Sequence, residues 1–234
     1  GSAVLTNTIT ANRSGQGAGA YLPRCDRFLY NTVVDNEADS GAAAGGLEIE
    51  GMLQVHHNSL YGNEPYDIVV ESSFDISGTH NYWGTVASAN ILDQVYDWYD
   101  DTSRGKFLYV PYLQEPSEDA PFPPPTGLTV DVQDDAIDLS WNAHPSFTTG
   151  WGYKVYYDTD NSLAPFEGTG LNEGDAPIDV GDATSYVLSG LDPSRDYYVA
   201  VTAYDNEGHE SWYSNVEQKR GGHWVYLPMV LRGQ

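Results

Sequence analysis

Cysteine is almost missing from this 234-residue chain: Cys25 stands alone. A single thiol excludes an internal disulfide framework and a cysteine-based zinc site, and such a residue ordinarily packs as a small buried hydrophobe. Basic side chains are scarce as well, 10 Lys and Arg against 34 Asp and Glu, for a formal charge of −24. Residues 1–120 hold 5 basic and 17 acidic side chains, 121–218 hold 2 and 17, and 219–234 hold 3 and none. Such a surface repels phosphate backbones and anionic lipid, so neither nucleic acid nor a membrane surface is an expected partner. It suits solubility outside the cell and, more specifically, divalent cations. No run of eighteen apolar residues occurs, so no helical membrane span is expected. Gly1-Ser2-Ala3-Val4 lacks the charged and apolar regions of a signal peptide, as in a mature secreted protein or a fragment of a longer one.

What the chain has in quantity is turn formers and aromatics: Gly 24, Pro 13 and Tyr 18 point to an all-β protein with many turns. Within the first half one signature recurs, Asn-[Ser/Thr]-[Ile/Val/Leu]-x-x-Asn, at Asn7–Asn12, Asn31–Asn36 and Asn58–Asn63. The first asparagines are 24 and then 27 positions apart, and a degenerate copy, His80-Asn81-Tyr82-Trp83-Gly84, follows 23 positions later. A period in the twenties with one short strand and one asparagine turn per repeat indicates a solenoid. Further strand-like pieces, 20–22, 47–49 and 67–70, give each coil two or three strands. One apolar side chain per strand is expected to point inward, stacking Ile9, Val33, Leu60 and Tyr82 as a core row. The asparagines are expected to stack likewise, bonding each other's amides at the corner, where Asn tolerates the left-handed conformation.

This pattern resembles the right-handed parallel β-helix of the pectate lyase-like superfamily. His80–Thr85, Ile91, Val95–Asp101, Gly105–Phe107 and Val110–Leu113 resemble the last coil and cap of bacterial extracellular β-helix proteins, where "NYWG" precedes an amphipathic helix and a "P-[YF]-L" strand. Ile91, Leu92, Val95 and Trp98-Tyr99 have near-helical spacing, and a solenoid needs a terminal element over its last core layer. The fold class is therefore all-β, with about three to four coils and a C-terminal cap over residues 1–113. About three repeats is the lower limit for independent stability, so the open first coil requires an N-terminal part, a neighbouring chain or a shielding loop.

Lyases of that superfamily use acidic residues to hold Ca²⁺ and an Arg or Lys as base. Arg24 and Arg27 near Asp26 and Asp35, and the pair His56-His57, match no lyase motif residue by residue, and no catalytic residue is assigned. Asp35, Glu37 and Asp39 carry oxygen ligands at alternating positions, as hard cations favour, without the closing bidentate Glu of a full calcium loop. They form a candidate Ca²⁺ site; no cofactor is required.

Pro116 and Pro121–Pro125 form a stiff, extended, acidic linker over 114–122. Beyond it, strand-like segments at 127–130, 136–141, 152–157, near Phe166, 185–188, 197–204 and 210–214 indicate a β-sandwich over 123–218. Pro124–Leu128, Leu139-Ser140-Trp141 and Leu191–Tyr197 closely resemble the opening, the buried strand-B tryptophan and the tyrosine corner of fibronectin type III. The stretch Asp158–Asp182 departs from that pattern, and Asp158 and Asp160, with Asn161, are a second candidate Ca²⁺ site. Trp151, Trp212 and Tyr213 are candidates for stacking on carbohydrate.

The tail, residues 219–234, is apolar and strand-like. It resembles the "YLPLVLR"-type endings of secreted proteins of filamentous green bacteria (Chloroflexota). Trp224, Tyr226, Leu227, Pro228, Val230 and Leu231 are therefore candidate sorting or assembly residues, and an open β-helix end at the other terminus makes head-to-tail filaments conceivable. The expected function is non-catalytic: a structural or adhesive C-terminal part of a secreted or cell-surface bacterial protein, with a polysaccharide or cell-surface partner or self-association. The alternative is the end of an extracellular polysaccharide lyase or epimerase whose active coils lie upstream.

Overall fold

The structure is a computed structural model that describes residues 2–14, 19–39, 44–51, 53–133, 135–144, 147 and 149–222. Its first half winds through four short-stranded turns. The first contributes β1 (Ala3–Leu5), β2 (Thr8–Thr10), β3 (Arg13–Ser14) and β4 (Ala20–Leu22). The second repeats them as β5 (Arg27–Leu29), β6 (Thr32–Val34), β7 (Glu37–Ala38) and β8 (Leu47–Ile49). The third has β9 (Gln54–His56), β10 (Ser59–Tyr61) and β11 (Ile68–Val70). The fourth has β12 (Ile76–Ser77), helix α1 (Ser88–Asp93) and β13 (Val95–Tyr96), and β14 (Phe107–Leu108) follows. Parallel pairing stacks these into three walls, β1-β5-β9-β12-β14, β2-β6-β10 and β4-β8-β11-β13, and joins β3 to β7 as a short pair at the corner.

Strand alternation then sets the core, because neighbouring side chains point to opposite faces. In the first wall Val4, Phe28 and Val55 are in register, and Ile76 pairs with Phe107. The second wall contributes Ile9, Val33 and Leu60. The third sends in two rows rather than one, Ala20-Leu47-Ile68-Val95 and Leu22-Ile49-Val70, while Tyr21, Glu48 and Tyr96 face outward. Cys25 is buried with this core, as expected of a lone thiol.

The expected core row fails at its last member. Tyr82 bridges to Ser59, which shifts Trp83 into line with Leu60. Trp83 fills the last layer edge-on to Phe107 at 5.8 Å. Tyr82 instead packs outside the coil with Val34 and Tyr61. The expected cap helix is also shorter than its apolar spacing suggested. Six residues form α1, only Ile91 of them is buried, and its N-cap, Ala87, makes no side-chain cap bond. Val95 and Tyr96 extend the third wall instead, pairing in parallel with Ile68 and Val69, so that Val95 is buried over the core.

Residues 114–126 are no free spacer. Leu113 N–H bonds Asn81 O (2.9 Å), Ser117 N–H bonds Ser59 Oγ (3.2 Å), and Thr32 Oγ1 donates to Pro121 O (2.5 Å). The strap therefore runs backward over the outer face of the second wall, from the fourth turn to the second. That is why Thr32 and Ser59, which point outward, are fully buried.

The second half has two antiparallel sheets. β15 (Thr129–Val132), β16 (Ala136–Ser140) and β19 (Ser185–Ser189) make one; β17 (Gly152–Asp158), β18 (Ile178–Gly181), β20 (Tyr197–Tyr204) and β21 (Glu217–Lys219) make the other, in the order β18-β17-β20-β21. Trp141 is buried between them against Tyr153, ring centroids 5.6 Å apart. Asp192 N–H donates to Tyr197 Oη at 2.9 Å, the corner bond anticipated from the sequence.

Two strand assignments change. Phe166 is buried but lies outside any strand, and the fourth strand in sequence is β18. Within 210–214 only Glu210 makes a bridge, to Tyr204. Ser211 and Ser214 there place hydroxyls where strand carbonyls would stand. Ala203 N–H donates to Ser211 Oγ (2.9 Å) and Val201 N–H to Ser214 Oγ (3.0 Å), while the serine N–H groups reach Ala203 O and Val201 O. Serine competes with the ladder in this way by offering the backbone a local acceptor.

Candidate functional site

The most ordered polar feature is a pair of amide ladders flanking the second wall. In the first, Asn7 Nδ2 donates to Asn31 Oδ1 (2.9 Å), Asn31 Nδ2 to Asn58 Oδ1 (3.1 Å), and Asn58 Nδ2 to Asn81 Oδ1 (2.9 Å). The main-chain N–H of each donor residue bonds the same oxygen. In the second, Asn12 donates to Asn36 (2.8 Å), Asn36 to Asn63 (2.7 Å), and Asn63 to Asp67 Oδ1 (2.7 Å). The corner chemistry differs from expectation in one respect. The left-handed residue is the one before each asparagine: Thr6, Ala11, Tyr30, Asp35, His57, Gly62 and His80. Asparagine serves here for its two-ended amide, not for tolerance of positive φ.

Asp67 closes the second ladder as an acceptor without a donor amide. Burial lifts its carboxyl to about 7, against the opposing effect of the Asn63 side-chain and main-chain donors.

The left-handed corners project a column of rings. His57 stacks between Tyr30 (5.6 Å) and His80 (5.3 Å). His56 faces a different set, Ser77 Oγ at 3.1 Å from Nε2 and Thr79 Oγ1 at 2.9 Å from Nδ1. Burial lowers its pKa, with the Thr79 contact opposing. Both histidines are thus engaged in wall contacts.

Asp35 stands at a cleft of about 400 Å³ between the first three turns and the sandwich, lined also by Arg13, Glu37, Glu64, Gly127, Asn215 and Glu217. Gly127 N–H reaches Asp35 Oδ2 at 3.4 Å. Burial raises the Asp35 pKa; the Gly127 amide opposes it, Glu64 adds to it, Arg13 opposes and Glu37 adds. Glu37 pairs with Arg13 at 2.5 Å, and Asp39 is exposed. Of the first candidate cation set, Asp35 and Glu37 share the cleft lining and Asp39 does not.

In the second set, the Asp158 carboxylate takes main-chain donors from Thr159 (2.6 Å), Asp160 (3.4 Å) and Glu167 (3.2 Å). Burial pushes its pKa up, and these amides outweigh burial to hold it below the usual range. Asp160 is exposed beside it. Among the described residues no three His, Cys, Asp or Glu side chains are grouped so as to hold a metal ion.

The three candidate stacking residues do not form one face. Trp151 packs edge-on to Phe122 (4.9 Å) and His144 (5.2 Å), under the strap. Tyr213 lies edge-on to Tyr156 (4.9 Å) and Phe166 (5.1 Å), and Tyr156 is five residues along the chain, about 16 Å at strand rise. Trp212, 60% exposed, meets Tyr213 at 5.5 Å. Glu210 completes this platform, taking bonds from Lys154 (2.5 Å), Tyr156 (2.7 Å) and Thr202 (2.7 Å). Sequence reasoning missed Tyr156 and Glu210; the alternation of Lys154 and Tyr156 along β17 was the available signal for the first, and nothing periodic marked the second. Trp224, Tyr226, Leu227, Pro228, Val230 and Leu231 lie outside the described residues. No described helix is long and apolar enough to cross a membrane.

No curated protein matches the chain. Solved structures similar to part of it include one titled "Myokine structure", at 16% identity over 42% of this chain and 96% of that one, with a TM-score of 0.31. The fibronectin type-III domain of human fibronectin type III domain containing protein 3 is 21% identical over 45% and 90%, TM-score 0.32. Domains A168-A170 of titin are 22% identical over 44% and 32%, TM-score 0.32. The family model "Fibronectin type III domain" matches residues 123–219. The chain thus joins a solenoid of stacked parallel coils to a fibronectin type III domain at residues 123–219.

Proposed function

We propose that the chain is a non-catalytic structural and adhesive part of a secreted or cell-surface protein, in which the coils act as a rigid base that positions the sandwich. The observation that carries this reading is the strap: Ser117, Pro121 and Gly127 are each bonded to a different point of the second wall and its corner. A hinged catalytic pair of domains would not be tied along its connector. The strongly acidic surface and the domain type favour an extracellular setting. The platform of Trp212, Tyr213 and Tyr156 beside Glu210 is suited to the apolar face of a sugar with a polar edge, because aromatic rings supply area and Glu210 supplies acceptors. Residues 224–231 are proposed as the sorting or assembly strand.

The test is binding of the full chain to immobilised pectin, alginate and neutral glycans, with Trp212→Ala alongside. Retention weakened about tenfold by the substitution supports adhesion through the platform; equal retention of both proteins, or none, removes it. The second reading is the end of a lyase or epimerase, suggested by the three walls of stacked parallel strands. Release of unsaturated uronates from pectin or alginate, with calcium, would decide for it.

A further inference from the structure

Lys106 is held by rings. Its Nζ lies 4.3 Å from the centroid of Trp98 and 5.3 Å from that of Tyr99. The two rings meet edge-on, at 5.3 Å and 84°, and form two sides of a corner around the ammonium. The other described cations over rings differ. Lys154 and Arg104 each touch one ring and are paired with carboxylates, Glu210 for the first, Glu71 and Asp101 for the second. Lys219, over Tyr197, is buried. Among the described residues no carboxylate oxygen lies within 4 Å of Lys106 Nζ. The corner does not depend on the lysine. Asp97, 3% exposed, takes Tyr99 N–H (2.9 Å) through Oδ1 and Phe107 N–H (2.8 Å) through Oδ2, which ties the ring-bearing turn to β14. Trp98 N–H bonds Gly105 O at 3.2 Å, and Gly105 N–H bonds Ser72 O at 2.7 Å. Trp98 is 38% and Tyr99 68% exposed, so withdrawal of the flexible Lys106 side chain leaves an open aromatic corner on a fixed frame.

We propose that this corner is a binding site for a quaternary ammonium group, with Lys106 as its built-in occupant. A cation is drawn to the electron-rich ring face, and the attraction grows as the cation is desolvated. The lysine head is compact and strongly hydrated. A tetraalkylated nitrogen has no N–H to hydrate and fills more of the corner, so it displaces Lys106 by the same interaction that holds it. The surroundings fit a cation. Asp75, exposed, takes Lys106 N–H at 2.8 Å, and Asp100 is exposed next to Tyr99. The surplus of carboxylates over residues 1–120, 17 against 5 basic side chains, concentrates small cations at the surface. An anion would meet that field with the opposite sign, and a neutral sugar has no charge with which to displace Lys106. The site lies on the cap of the coils, and it stands whether or not the platform of the sandwich binds sugar.

The probe is tetramethylammonium, followed by the ring-current shift of its methyl protons in titrations of the full chain, with potassium chloride holding the ionic strength constant. Lys106→Met, which keeps an unbranched side chain and removes the charge, should bind the probe about tenfold more tightly than wild type. Adding Trp98→Leu to it should abolish the upfield shift. Melting curves that match wild type establish folding, and Lys106→Gln takes the place of the Met variant if that one does not fold. Choline and phosphatidylcholine vesicles then separate the sources of the group. Binding to the vesicles assigns a lipid head group, binding of choline alone assigns a free cation, and binding of neither overturns the proposal. Equal affinity of wild type and Lys106→Met also overturns it, because Lys106 would then not occupy the site. So does the absence of a shift with folded Lys106→Met protein. A shift that survives Trp98→Leu does the same, by placing the cation in the general acidic field.

Discussion

Asn58→Ala is the sharpest test of the ladders as the source of solenoid stability. Asn58 is fully buried. Its Oδ1 accepts Asn31 N–H (2.8 Å) and Asn31 Nδ2 (3.1 Å), and its Nδ2 lies within reach of Phe28 O, His56 O and Asn81 Oδ1. Truncation leaves the equally buried Asn31 N–H with no acceptor, a loss of about 1–3 kcal/mol, and removes net bonds worth about 1 kcal/mol each. Phe28 O and Asn81 Oδ1 also lose a donor, and a small cavity opens, so the sum is about 3–5 kcal/mol. Asn7→Ala removes the same chemical group at the exposed end, where water replaces it and the loss is under about 1 kcal/mol. Urea unfolding followed by far-ultraviolet circular dichroism compares the two, with the sandwich transition as internal control. Near-equal midpoints for Asn58→Ala and Asn7→Ala would refute the idea that buried amide rungs, as opposed to apolar stacking, hold the coils together.

Asp67→Asn should flatten the pH dependence of stability: the wild-type carboxyl titrates near 7 when folded and near 3.8 when unfolded, so its contribution is full below about pH 4 and is lost as pH rises through 7. The variant should therefore gain thermal stability over wild type at pH 8 and little at pH 4, read from melting curves across that range; parallel curves would contradict the assignment. Tyr197→Phe deletes the acceptor for Asp192 N–H and should lower sandwich stability by about 1–2 kcal/mol, measured by urea titration, without altering the solenoid transition. Gly46→Ala should unfold the coils, since a Cβ there would stand 2.2 Å from Asp67 O in the next turn, whereas Gly62→Asn, at φ 69° with nothing nearer than 3.8 Å, should be tolerated; limited proteolysis separates the two outcomes.

The solenoid was readable because its rungs repeat: the spacing of Asn7, Asn31, Asn58 and Asn81 is the register of the walls. What repeats imperfectly was lost. Tyr82 and Trp83 both suit an inward row, and only the bridge to Ser59 decides between them. Asp67 falls four residues after Asn63, not a full coil away, so no periodicity marks it as the end of a ladder. The strap was read as extended from its prolines, but its partners, Thr32 and Ser59, look like ordinary exposed strand residues until the strap covers them. Ser211 and Ser214 mislead in the opposite direction, because a run of strand formers around them hides a pairing made by hydroxyls. Trp151, Trp212 and Tyr213 are alike in residue type, but Trp151 joins the cluster under the strap while Tyr213 meets Tyr156 of β17, a separation set by register that single residues do not carry.

The backward course of the strap also decides how the molecule bears tension. The chain enters the sandwich at Gly127 beside Asp35 and leaves it near Gly222, whose N–H bonds Pro193 O in the tyrosine corner. A pull on residue 222 therefore passes along β20 and β21 and arrives at the strap, not at the cap. Along the strap the contacts of Gly127, Pro121 and Ser117 lie in that order between residue 222 and the last core layer under Trp83. Release of those contacts would free a connector of about a dozen residues, roughly 40 Å long at full extension, without unwinding the coils.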